Sequence, residues 1–172
     1  MATHYDLQLI LKLPRFQFNH LIAFTVDGLI PSLLSSFMLD MAHRVIVENH
    51  DASTFMQGLL QSSPIAARHT SIIHLMVTDN SVNGKLYTWA KRQIRPWGER
   101  LPAQCPACLS FRSLQIKTTS TGPATFKCTG KTVAGRSCEH LHVVNSPAIR
   151  SEGWKVNGDW ISTVWPPPLT PA

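Results

Sequence analysis

The first half of the chain switches between two hydrophobic periods. Residues 18–26 form a short apolar run that ends at Asp27-Gly28. Leu29, Leu33, Leu34, Phe37, Met38 and Met41 then recur at helical spacing, with Pro31 tolerated in the first turn. The β-branched stretch 44–48 predicts a strand. Ser53 then caps a helix whose inward face is Phe55, Met56, Leu59 and Leu60. Residues 70–77 predict another strand, and 85–94 a third helix. Apolar strands alternating with helices imply an α/β unit on a three-stranded parallel sheet, covered on both faces. The first eleven or so residues are a further edge-strand candidate.

From residue 96 the pattern changes. Residues 111–118 alternate polar and apolar, and 124–127 lead into Cys128 as a return strand. Asn157-Gly158, between Trp154-Lys155-Val156 and Asp159-Trp160-Ile161, is a strong hairpin signal. The expected organisation is an α/β unit over 1–95, a β-rich unit over 96–165 and a proline-rich tail over 166–172. The prolines and glycine of Pro96-Trp97-Gly98-Glu99-Arg100-Leu101-Pro102 mark the join.

Charge follows the same division. Residues 1–84 hold four basic and six acidic side chains, whereas residues 85–172 hold twelve and four. All four cysteines and all five tryptophans lie in the second half. No apolar run is long enough for a membrane span, and the amino terminus carries none of the marks of a secretory signal. The expected setting is therefore intracellular and reducing, nuclear or cytoplasmic, with no membrane partner.

Cys105-Pro106-Ala107-Cys108 is followed after nineteen residues by Cys128, and after nine more by Cys138. Two thiolates from one tight turn, with a second pair across a hairpin, are what tetrahedral Zn²⁺ requires. The competing readings are two disulfides, a redox-active Cys-x-x-Cys pair, or unrelated buried cysteines. The disulfides would need an oxidising compartment. The pattern resembles a zinc ribbon over residues 105–138. Its second pair is wider than usual in that family, which leaves His140 and His142 as alternative fourth ligands.

A closed four-ligand site offers no open coordination position and supplies folding energy rather than chemistry. The basic excess around it suits a polyanion. Lys91, Arg92, Arg95, Trp97, Arg112 and Lys117 are the candidate nucleic-acid contacts, cations to meet phosphates and rings to stack on bases. The alternative makes the tryptophans core residues and leaves a protein as the partner. A metal-dependent hydrolase built on Asp27, His50, Asp51 and Asp79, at the ends of parallel strands, is a third reading.

Two further resemblances bear on the chain. Residues 48–60, from Glu48-Asn49-His50-Asp51 to Gly58-Leu59-Leu60, are loosely similar to the strand–nucleophile–helix segment of caspase-like (legumain-type) cysteine proteases. His50 stands at the nucleophile position, and Asp27-Gly28 stands where that family has His-Gly. The resemblance thus implies a vestigial module without the protease mechanism. The stretches HDASTFMQGLL, KLYTWA, RPWG and LPAQCPAC are similar to uncharacterised proteins of mushroom-forming fungi, which implies an origin and no activity. The sequence as a whole points to a zinc-binding protein that acts by binding and not by catalysis.

Overall fold

A computed structural model describes residues 19–26, 28–78, 81–117, 122–146 and 158–165. Strand β1 (His20–Phe24) leads to helix α1 (Pro31–Ala42), a π-helical turn (His43–Val47), helix α2 (Ala52–Gln61) and helix α3 (Pro64–His69). Strands β2 (Ile72–Thr78) and β3 (Ser81–Ala90) follow, then β4 (Leu114–Ile116), β5 (Ala124–Cys128), β6 (Leu141–Val144) and β7 (Asp159–Trp165). The chain divides into two compact units, one made of residues up to 88 together with those from 162 onward, the other of residues 89–161. Among the described residues no helix is long and apolar enough to cross a membrane.

The parallel three-stranded α/β unit is not what forms. The sheet has the order β1-β2-β3-β7, and β1–β2 and β2–β3 are both antiparallel. Two local differences cause this. Residues 85–90 belong to strand β3, not to a helix, because Thr78 pairs with Ser81 and the chain turns straight back. A strand returned by so short a connection lies antiparallel to its predecessor. Residues 44–47, expected as a strand, continue α1 as the π-helical turn. No glycine or proline stops the helix there. Asn49 does so at φ 52°, with the Glu48 amide donating to the His43 carbonyl and the His50 amide to that of Arg44. Asparagine is one of the few residues that adopts this left-handed position readily.

Helix α2 follows its pattern: Phe55, Met56, Leu59 and Leu60 are buried. Its cap is Asp51 rather than Ser53, through a 2.7 Å hydrogen bond from the Ser53 amide to the Asp51 carboxylate. The Phe24 ring meets that of Phe37 edge-on at 6.2 Å, so the helices cover the Phe24 side of the sheet. On the other side Leu75 and Val77 pack with Leu21, Ile73, Val82 and Trp165. Gly84 sits where a Cβ would strike the Trp165 carbonyl and the Leu75 side chain, so only glycine lets β3 approach that closely.

One polar pair is built into this unit. Buried His74 places Nε2 3.1 Å from His20 Nδ1, and His20 Nε2 lies 3.7 Å from an Asp51 carboxylate oxygen. The register explains the meeting: His74 pairs with Ile22, two residues along β1 from His20, and with Lys85 on β3. Burial first, then the charges of His20 and Lys85, hold the His74 pKa down to about 4 against an ordinary 6.5, with Asp51 opposing them. The unfolded chain therefore takes up a proton at this imidazole that the folded chain refuses. Stability contributed here is complete above pH 6.5 and is lost as pH falls toward 4. The loss is on the order of 3 kcal/mol. Denaturant melts at the two ends of that window measure it, and His74→Phe should remove most of the difference. A wild-type curve that is flat between them would refute the assignment.

The second unit carries an antiparallel sheet of order β4-β5-β6. Leu114 pairs with Cys128, Phe126 with His142 and Ala124 with Val144. Ala124, Phe126 and Val144 are buried, and Trp97, Leu101, Leu114 and Ile116 pack against them. Strand β7 begins after Gly158, and the rest of the expected Asn157-Gly158 hairpin lies outside the described residues, as do the tail and the amino-terminal edge strand.

Candidate metal centre

Two loops meet at one end of the β4-β5-β6 sheet. In the first, the Leu109 amide donates to the Cys105 carbonyl and the Cys105 amide to that of Ser110, which folds Cys-Pro-Ala-Cys into a knuckle with Leu109 at φ 59°. The second loop explains the wide spacing of the later pair. Lys131 bridges to Ser137, the Thr132 amide donates to the Arg136 carbonyl, and Gly135 turns the chain at φ 75°. The nine intervening residues thus form a small hairpin that returns Cys138, whose amide donates to the Gly130 carbonyl, to the side of Cys128.

The four sulfurs of Cys105, Cys108, Cys128 and Cys138 all lie within 4.8 Å of one another. Cys105 Sγ is 3.9 Å from Cys138 Sγ, and Cys108 Sγ is 3.5 Å from Cys128 Sγ. A disulfide would hold them at about 2.05 Å, so the four thiols are free. A zinc ion about 2.3 Å from each sulfur sets the edges of its tetrahedron at roughly 3.8 Å, which both distances fit. The quartet can hold a metal ion. Cys105, Cys128 and Cys138 are buried, and Cys108 is half-buried.

Polar groups around the sulfurs favour thiolates. The Gly130 amide donates to Cys128 Sγ at 3.2 Å, and Ser113 Oγ lies 3.1 Å from the same sulfur. The Ser110 hydroxyl and amide hold the Cys108 thiol down to about 6. At Cys138 the His140 amide also favours the thiolate, but burial and the three neighbouring sulfurs outweigh it and push that thiol up to about 12. Four thiolates so close together repel one another, and a divalent cation removes the repulsion. Gly130 is essential to the packing: a Cβ there would overlap the Ser110 side chain and sit 3.1 Å from Cys108 Sγ.

The fourth member of the cluster is Cys138. His140 and His142 are not in it, and their Nε2 atoms are buried elsewhere without partners. The quartet is also the one group of three or more ligating side chains drawn together among the described residues. Asp27 and Asp79 lie outside those residues, Asp51 is committed to capping α2, and exposed His50 pairs with Glu48 at 3.2 Å. An antiparallel sheet has no shared carboxyl end at which these groups would converge.

The six candidate nucleic-acid contacts divide. Arg112 and Lys117 are exposed. Lys91 and Arg92 are half-buried, and Arg95 is held by a 3.1 Å hydrogen bond from Nε to the Gly98 carbonyl. Trp97 packs on the core of its unit. Sequence reasoning passed over Phe111, 63% exposed, whose ring carries the Arg112 guanidinium at 5.2 Å. It also passed over exposed Lys127, Lys131 and Arg136. Their position within or beside the cysteine loops was the available signal. Comparison with known protein families, curated proteins and solved structures finds no match for this chain.

Proposed function

We propose that the second unit is a structural zinc module that binds single-stranded nucleic acid and catalyses nothing. Borderline-soft zinc suits four thiolates and tolerates a closed tetrahedron, and thiols kept as ligands suit a reducing nuclear or cytoplasmic setting. Cys105, Cys108, Cys128 and Cys138 would hold the ion, whose contribution when bound is to fix the two loops relative to each other. Partner binding then falls to the surface those loops present.

The observation that carries the nucleic-acid reading is the exposed Phe111 ring under the Arg112 guanidinium, in the loop that the cysteines fix. An exposed aromatic face with a cation upon it is a platform on which a base can stack, while the cation meets the phosphate. Lys131 and Arg136 in the second loop, and Lys117 and Lys127 on the sheet, extend the cationic surface.

Fluorescence anisotropy with short single strands over a range of salt tests this. Each cation removed, in Arg112→Ala or Lys117→Ala, should flatten the slope of log K against log salt by roughly 0.7. Phe111→Ala should cost about 1 to 3 kcal/mol with the slope unchanged. Zinc-loaded protein that binds neither DNA nor RNA at low salt would end this reading. The protein-interaction reading, favoured by exposed Leu109, Val133, Leu141 and Val143 on the same unit, would then take its place.

A further inference from the structure

Helix α1 is apolar on two sides. Leu34 and Phe37 are buried in the core of the first unit. On the outer side Met38 and Leu39 are 42% and 70% exposed, and in the π-helical turn Val45, Ile46 and Val47 are 40%, 78% and 69% exposed. Exposed Ser32, Ser35, Ser36 and Asp40 share the rest of its surface, and a contiguous apolar stripe left bare beside them marks an interaction surface. Regular α-helical spacing would put Val45 and Ile46 in line with Met38 and Leu39, seven residues on. The wider turn delays this by one residue and presents Ile46 and Val47 instead, as their exposure shows. The outer stripe is thus Met38-Leu39, Ala42, Ile46-Val47.

This order is nearly the same in either direction: an apolar pair, a small residue, an apolar pair. A two-fold axis crossing the helix between Ala42 and His43 sets Leu39 of one copy against Ile46 of the other, Met38 against Val47, and the small Ala42 against His43 at the crossing where backbones come nearest. We infer that the stripe is the interface between two copies of this chain, paired as antiparallel helices. Such a contact is isologous and closes at the dimer. The stripe itself is uncharged, and the nearby Arg44 guanidinium is turned onto the Phe55 ring, 5.8 Å from its centroid. A lipid surface or a nucleic acid would call for unpaired cations beside the apolar residues; among the described residues the other ionisable neighbours are exposed Asp40 and the pair His43–Glu48, 3.4 Å apart. The five exposed side chains offer on the order of 500 Å² per protomer, within the range of a monomer's largest bare patch; paired they bury roughly 1,000 Å² in total, the lower bound of a specific interface and the size of a reversible one.

Sedimentation equilibrium of the full chain, from low to high micromolar, tests the pairing. The wild type should dimerise reversibly. Leu39→Glu and Ile46→Glu should each weaken association roughly a hundredfold or more, because the charge is buried twice per dimer. Ala42→Leu is the decisive variant. It adds apolar surface yet wedges the crossing apart, so a specific interface weakens about tenfold while indiscriminate sticking would strengthen. Leu39 and Ile46 are exposed and Ala42 is half-buried at the edge of the stripe, so the circular dichroism of each dilute variant should match the wild type. A wild type that stays monomeric, or an Ala42→Leu variant that associates more tightly, overturns the inference. So does a monomer whose melting point falls on Leu39→Glu, since the stripe would then be covered by its own chain.

Discussion

On the zinc reading, Cys105→Ser protein will purify metal-free, and the β4-β5-β6 sheet will lose its protection while the β2–β3 hairpin keeps its own. Cys105 is fully buried, and a hydroxyl there is a poor ligand that leaves three crowded sulfurs. The two loops share little apolar core: beyond the sulfurs themselves, only Leu114 among the described residues packs into the cluster. Metal binding and local folding are therefore one equilibrium, and structural zinc sites contribute on the order of 10 kcal/mol, well beyond what so small a sheet supplies alone. Elemental analysis gives the stoichiometry, expected at one zinc per chain, and hydrogen exchange locates the loss. A chelator acting on the wild type should reproduce the pattern reversibly. Metal-free wild type with four reactive thiols and an unaltered melt would refute the zinc reading.

The sequence made the metal cluster legible because ligation depends on residue type and spacing, and four cysteines in a chain with no others leave few pairings. The fourth ligand stayed open between Cys138 and two histidines, since linear spacing does not reveal that residues 131–137 fold into a hairpin. The buried face of α2 was legible for the same reason as any amphipathic helix: Phe55, Met56, Leu59 and Leu60 repeat at its period. The sheet was misread where local preference was ambiguous. Val45, Ile46 and Val47 are β-branched and favour strands, yet nothing before Asn49 stops the preceding helix, so the helix runs on. Residues 85–90 mix lysine and leucine with Tyr87, Thr88 and Trp89, and sheet pairing with β2 overrides what helical preference they have. With β1–β2 and β2–β3 both antiparallel, the class of the whole unit changes. The His20–His74 contact was invisible, because it depends on a register between strands some fifty residues apart.

The last large effect concerns Trp97, which the sequence offered as a base-stacking residue. Its ring packs against the core of Ala124, Phe126 and Val144, and its backbone sits at φ 51°, a region that costs a bulky residue on the order of 1 kcal/mol or more. Burial of the indole offsets that cost. The surrounding turn also holds it, with the Gly98 amide donating to the Arg95 carbonyl and the Glu99 amide to that of Pro96. Trp97→Ala removes the packing and keeps the strained φ, so it should destabilise the second unit by about 2 to 3 kcal/mol, somewhat below the loss for a fully buried tryptophan. Trp97→Gly loses the same contacts but relieves the backbone. It should therefore be no less stable than the alanine variant, although glycine is elsewhere the worse of the two by up to about 1 kcal/mol. Denaturant melts of the zinc-loaded variants measure both. A base-stacking tryptophan would behave in the opposite way, with melts unchanged and nucleic-acid affinity reduced, and that result would return Trp97 from the core to the binding surface.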